Sequence, residues 1–208
     1  MVDISKITTF IMWVSIGYLC GAFPTGYLIG RLKGIDLTKI GSGSTGATNV
    51  LRTLGKGPAL ITFTIDIVKG FLPVYFCSKF VDSSFTIVVV GLICLLGHSK
   101  SVFLGFKGGK SSAIGLGVVA AFSWEIALIT IVLWALIVYT SKYSSLGSII
   151  AVPLVPIWFF LFHKPVPYII FGVLAASYIV GIRHKDNIKR LLDGTEPKIG
   201  QNKTDSKH

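Results

Sequence analysis

Seven apolar runs, separated by short polar breaks, take up most of this 208-residue chain. They extend from Ile7 to Ile29, about Pro58 to Phe76, Phe85 to Leu96, Ala113 to Phe122, Ile126 to Tyr139, Ile149 to Phe162 and Val166 to Ile182. Hydrophobic residues make up 52% of the chain and charged ones only 14%, against about a quarter in a soluble domain. So little charge cannot coat a globule in water, and a mean hydropathy of +0.74 points to lipid as the solvent. The pattern predicts an all-α integral membrane protein of about seven transmembrane helices. Some runs fall short of the ~20 residues of a full crossing, which tilt or a bordering cavity tolerates. A first run this long, behind the single Lys6, reads as a span rather than a cleavable signal peptide.

The formal charge of +11 would suggest nucleic acid in a soluble chain, a partner that this hydropathy excludes. Its placement explains it instead. With the N-terminus outside, sixteen of the twenty Lys and Arg fall on inner segments, leaving Lys6, Lys79 and Lys164 outside and Lys69 within a helix. That asymmetry obeys the positive-inside rule and puts the C-terminus in the cytoplasm. Residues 1–200 form one membrane-embedded domain, and 201–208 a polar tail expected to be disordered. Cys20, Cys77 and Cys94 lie inside apolar runs without paired spacing, which argues against disulfides and zinc. Asp66 and Lys69, three apart in the second run, are expected to neutralise each other.

Three inner segments are rich in glycine, hydroxyls and positive charge: Gly41-Ser-Gly-Ser-Thr-Gly-Ala-Thr-Asn-Val-Leu-Arg52, Gly97-His through Phe-Lys-Gly-Gly-Lys110, and Arg183-His through Gly-Thr-Glu196. Glycines let backbone N–H groups converge on an anion, hydroxyls add donors, and a following helix adds its positive end. Arg52 supplies a planar fork and Lys110 a point charge. The inventory implies phosphate, in one nest or two. A P-loop is ruled out because Leu104 stands where its first glycine belongs. Gly-x-Ser-x-Gly is missing, and so is an Asp five residues beyond a histidine: Phe103, Tyr168 and Lys189 stand there. His98 and His184 each open a polar segment, and Asn187 follows His184 by one helical turn.

At these segments the chain resembles the bacterial integral-membrane acyl-phosphate:glycerol-3-phosphate acyltransferases of the PlsY type. The family pattern reads here as Gly41 to Arg52, Gly97 to Lys110 and His184 to Glu196, in order and spacing over essentially the whole chain. Ser44 and Ser111 replace a usual Asn and Gly. The resemblance implies acyl transfer at the bacterial inner membrane from acyl phosphate to the 1-hydroxyl of glycerol 3-phosphate, giving 1-acylglycerol 3-phosphate and phosphate, with no metal, cofactor or thioester donor; a monomer is the expected state. The expected phosphate-binding set is Ser42, Gly43, Ser44, Gly46, Thr48, Asn49 and Arg52, with His98, Lys107, Gly108 and Gly109 from the second segment. Ser145 and Ser148 match a serine pair of the family. Lys110, His184 and Asn187 are the catalytic candidates, with either His184 or a substrate phosphate as base. The competing readings are a transporter of a phosphate ester, which would need polar groups along a full crossing, and a metal-dependent lipid-phosphate transferase, which would need an Asp cluster.

Overall fold

The computed structural model describes residues 4–200, so the expectation for the tail lies outside the described residues. Every apolar run is helical. The first becomes α1 (Ile4–Ala22) and α2 (Thr25–Leu32), broken where Pro24 has no N–H to give. Lys69 Nζ caps that break by donating to the Phe23 carbonyl at 2.7 Å. A loop leads to the short α3 (Ala47–Leu54), and α4 (Lys56–Phe80) and α5 (Ser84–Ser99) follow. Next come α6 (Ser112–Phe122), α7 (Trp124–Ser141) and α8 (Ser144–Leu161). The last run is α9 (Val166–Ala176), loosened into a π-helical turn at Ser177–Ile182 before α10 (Lys185–Leu192).

Four stretches are long and apolar enough to cross a membrane: Ile4–Leu32, Lys56–Phe80, Trp124–Ser141 and Ser144–Leu161. Val166–Ile182 makes a fifth when joined to α10, from which it bends by 55°. The remaining two runs, α5 and α6, have 16 and 11 residues. At 1.5 Å per residue they reach about 24 and 17 Å, short of a ~30 Å hydrocarbon core. Helix length thus supports four or five complete crossings.

With lipid outside, apolar burial gives helices little reason to associate, and close backbone approach takes over. A Cβ on Gly70 would lie 2.2 Å from the Ile114 carbonyl oxygen, and one on Gly117 2.0 Å from that of Ile67. These reciprocal glycines let α4 and α6 touch backbone to backbone. Gly21 and Gly97 do the same for α1 and α5. Around these seams Val74, Val90, Ile114, Phe159 and Phe171 fill the core. Cys77 and Cys94 are free thiols packed as small hydrophobes within it. Asp66 and Lys69 pair at 2.9 Å, both buried.

Candidate active site

A cavity of about 530 Å³ opens between the loop before α3, the start of α6, the middle of α7 and the start of α8. One end is polar and cationic, with Arg52, Lys110, His184, Asn187 and Glu196. The other is apolar, walled by Leu60, Phe63, Leu116, Ile131, Trp134 and Val152.

The first glycine-rich loop is shaped around Asn49. Buried in the opening turn of α3, its amide nitrogen donates to the carbonyls of Leu37, Ile40 and Ser44 at 3.3, 3.0 and 2.8 Å. Its amide oxygen accepts from the Ser42 N–H at 3.2 Å. Gly41 passes so close that a Cβ would sit 2.2 Å from that oxygen, and both Gly41 (φ +65°) and Gly43 (φ +66°) are left-handed. The loop then presents Ser42, Ser44, Gly46 and Thr48 to the cavity, with the start of α3 among them. Ser44 Oγ accepts from the Gly46 N–H at 3.3 Å, doing locally what an asparagine amide could do there. Thr48 Oγ1 meets Ser144 Oγ at 3.0 Å, tying α3 to α8.

The second loop behaves differently. A Cβ on Gly108 would lie 2.1 Å from the His98 carbonyl oxygen, and one on Gly109 2.1 Å from His98 Nε2. Both glycines are spent on packing against His98, and the Gly109 carbonyl accepts from Arg183 Nη2 at 2.9 Å. Neither lines the cavity, nor do Gly43 and the exposed Lys107. Of this segment the cavity receives His98 and Lys110. Ser111 follows in the left-handed region (φ +65°), which is the physical reason a glycine suits that position. Its hydroxyl donates to the Leu95 carbonyl at 2.8 Å and holds the turn that starts α6.

The third segment closes the polar end. His184 stands at the N-cap of α10, past the end of the last apolar helix, and its Nδ1 lies 2.8 Å from the Ile179 carbonyl. A carbonyl can only accept, so Nδ1 carries the proton and Nε2 the lone pair. Burial pushes the His184 pKa down to about 4, with Lys110 and Arg183 adding to the fall and the Ile179 contact opposing it. The ring is therefore neutral at physiological pH. Lys110 Nζ donates to Asn187 Oδ1 at 2.5 Å. Its pKa is pushed down to about 8, by burial first and then by Arg190, Arg52 and Arg183, against the pull of Glu196.

Glu196 is the residue that sequence reasoning passed over. Its carboxylate accepts from Ser145 Oγ at 2.8 Å, Asn187 Nδ2 at 2.7 Å and Arg190 Nε at 2.7 Å. Burial pushes its pKa up, but these hydrogen bonds outweigh that and hold it below the usual carboxylate range. Arg52 lies 3.9 Å from the same carboxylate and donates through Nη2 to the Pro197 carbonyl at 2.9 Å, while its Nε is buried without a protein acceptor. A buried guanidinium N–H lacking an acceptor is unusual, and a phosphate oxygen would satisfy it. Only the position of Glu196 in the motif could have flagged it. Ser148 lines the cavity beside Ser145, one turn on along α8.

Residues 11–194 match the family described as glycerol-3-phosphate acyltransferase. The chain belongs to that family. A glycerol-3-phosphate acyltransferase of Nostoc sp. is 45% identical over 90% of this chain and 91% of its own length. One from Acaryochloris marina is 46% identical over 90% and 91%. The crystal structure of PlsY, an integral membrane glycerol 3-phosphate acyltransferase, superposes in its glycerol 3-phosphate form with a TM-score of 0.88 at 39% identity, covering 92% of this chain and 96% of that one. Its lysophosphatidic acid form gives 0.86 with the same identity, over 92% and 95%. This acyltransferase family thus accounts for the fold and the order of the three segments together.

Proposed function

We propose that this membrane acyltransferase moves a fatty acyl group from acyl phosphate to the 1-hydroxyl of glycerol 3-phosphate, releasing 1-acylglycerol 3-phosphate and phosphate. The observation that carries the reading is one cavity joining a cationic, donor-rich end to an apolar arm. Such a cavity suits two phosphate-bearing reactants of which one has a long tail. A transporter would instead need polar lining through the bilayer, and the polar groups here mass at one end.

Arg52, Ser42 and the start of α3 hold one phosphate, and Lys110 with the start of α6 holds the other. The site faces the cytoplasm, with the N-terminus outside, the two short helices completing seven crossings, and a monomer sufficing because one chain supplies every group named. Holding both reactants in one pocket supplies much of the rate, since well-oriented intramolecular reactions gain ~7–11 kcal/mol. The hydroxyl oxygen attacks the acyl carbon, forming the new C–O bond; the oxyanion receives hydrogen bonds from Lys110 or the Asn187 amide; then the bond to phosphate breaks. A base works best with a pKa near the working pH, and a phosphate monoester near ~6 meets that better than His184 does. The proton goes to a substrate phosphate oxygen, and His184 orients the reactants.

Purified protein given acyl phosphate and glycerol 3-phosphate should release phosphate only when both are present. Release without glycerol 3-phosphate, or none, would overturn the assignment. A His184→Asn enzyme that keeps its kcat but shows a raised KM supports the orienting role; a kcat fallen by ~10²-fold or more would make His184 the base.

A further inference from the structure

Between α5 and the glycines that pack on His98, the second segment makes a loop that does not line the cavity. Its side chains are not those of a loop in water. Val102, Phe103 and Phe106 are 45%, 57% and 61% exposed. Lys100 and Lys107 flank them at the neck, also exposed, and neither makes an ion pair among the described residues. Aromatic rings between two lysines are the composition of a segment at a membrane surface, with rings at the acyl boundary and ammonium groups among headgroups.

The backbone is closed on itself. Ser101 and Lys107 face each other in an antiparallel bridge, the Ser101 N–H donating to the Lys107 carbonyl at 3.2 Å. Within that bridge the Leu104 and Phe106 N–H groups donate to the Ser101 carbonyl at 3.1 and 2.8 Å, and the Lys107 N–H to the Leu104 carbonyl at 3.3 Å. The neck is tied to α1: Tyr18 Oη donates to the Lys100 carbonyl at 2.9 Å and Ser101 Oγ to the Ala22 carbonyl at 2.6 Å. Water would satisfy such groups in the cytosol, whereas at the edge of hydrocarbon the chain has to satisfy them itself. Phe106 is left-handed (φ +60°), a costly conformation for a bulky residue, and its ring is turned outward, so the strain serves no packing within this chain.

Depth agrees with composition. In the seven-crossing reading above, this loop joins the inner ends of α5 and α6. Those helices, of 16 and 11 residues, reach about 24 and 17 Å across a ~30 Å hydrocarbon core. From the outer edge their inner ends therefore stop about 6–13 Å short of the cytoplasmic edge, and the loop occupies that depth.

We propose that Val102–Phe106 is a tip that dips into the cytoplasmic leaflet, its aromatic face among the upper acyl chains and Lys100 and Lys107 on the phosphates of anionic phospholipids. The lipid is part of the surrounding bilayer, and its seat is separate from the cavity. The proposal goes beyond acyl transfer and rests on the crossings and orientation of the reading above, not on the reaction.

The test puts a nitrobenzoxadiazole dye on the tip, through Phe103→Cys and separately through Phe106→Cys, in nanodiscs. Wild type, whose cysteines lie within α1, α4 and α5, supplies the background. Phosphatidylglycerol carrying a nitroxide high on its acyl chain, titrated into phosphatidylcholine discs, should quench the dye at least twofold more than the same lipid labelled at the chain end. Aqueous iodide should barely reach it. The labelled fraction that half-quenches should rise about fivefold for each of Lys100→Ala and Lys107→Ala, the scale of one lysine at an anionic surface. If iodide quenches both dyes and the lipid nitroxides leave them bright, the tip stands in the cytosol as a face for a soluble protein, and the proposal is wrong. If the half-quenching fraction is unmoved in both lysine variants, the headgroup seat is wrong. A membrane-impermeant maleimide that reaches Lys100→Cys only from outside would overturn the orientation and the leaflet with it, while phosphate release from acyl phosphate, measured separately, reads the reaction.

Discussion

The two glycine-rich loops look alike in the sequence and do opposite things in the fold. In the Gly41–Gly46 loop, left-handed glycines curl the backbone around a buried asparagine and turn its hydroxyls toward the cavity. In the Gly105–Gly109 loop, Gly108 and Gly109 exist so that the chain can pass against His98, and the loop's contribution to the cavity is carried by Lys110 alone beyond them. Glycine content marks where backbone must come close to something; only the partner decides whether that something is a ligand or the protein itself.

The contrast breaks most sharply at Lys110, the one residue by which the second loop reaches the chemistry. Lys110→Ala should lower kcat by ~10²–10³-fold, the usual cost of losing a charge stabiliser aimed at the reacting centre. Circular dichroism should stay close to wild type and melting should not fall, since Lys110 lines the cavity rather than the apolar core and its buried charge costs the fold stability. Asn49→Ala should come next. It strands three carbonyls and one N–H of the first loop, each worth about 1 kcal/mol, so KM for glycerol 3-phosphate should rise by ~10²-fold with a smaller change in kcat.

Gly43→Ala and Gly109→Ala test the comparison directly. Alanine at Gly43 meets the left-handed penalty of about 1–2 kcal/mol and a tight but smaller approach, 3.2 Å to the Thr38 carbonyl oxygen, and it should raise KM for glycerol 3-phosphate about tenfold or less while the protein stays folded. Alanine at Gly109 drives a methyl into the His98 ring, so it should lower the melting temperature, and whatever folds should keep its KM values. If Gly109→Ala instead melts normally and loses affinity for phosphate, the second loop is a nest after all.

How much of this was legible beforehand follows from the range of the interactions involved. The helices were readable because each apolar run announces its own solvent, and Pro24 announces its own break. Their crossings were less readable, because α5 and α6 are shorter than a bilayer and length alone no longer decides. Within the site, Arg52, Lys110, His184 and Asn187 could be named from charge and spacing. The partition among the glycines could not, because the atoms they approach are ten residues away in His98 or eight away in Asn49. Glu196 was hidden for the same reason: an acid in a cationic motif looks like a surface charge until Ser145, Asn187 and Arg190 are seen to converge on it.

The pH profile separates the same two loops by a subtler effect. Lys110 is pushed down to about 8, so its ammonium is lost as pH rises through that value, where a free lysine would still be charged. Acyl phosphate kcat/KM should therefore fall above about pH 8, the deprotonated amine having no charge to offer the donor's phosphate or the oxyanion. The same shift makes the unfolded chain bind more protons than the native one between about pH 8 and the ordinary lysine value near ~10.4, so stability should rise across that window even as activity falls. His184, held near 4, adds no inflection around pH 6.5.

The smallest effect is expected at Lys107, three residues from Lys110 and equally basic in the sequence. Its side chain is exposed and does not line the cavity, and its backbone is engaged at both ends: the carbonyl accepts from the Ser101 N–H at 3.2 Å and the N–H donates to the Leu104 carbonyl at 3.3 Å. Removing an exposed charge at that distance from the site leaves little beyond screened, long-range attraction for anionic substrates. Lys107→Ala should change kcat/KM by less than about twofold at physiological salt, with any difference shrinking as salt is raised. A tenfold loss that survives high salt would place Lys107 on a phosphate and undo the division between packing and binding drawn along this loop.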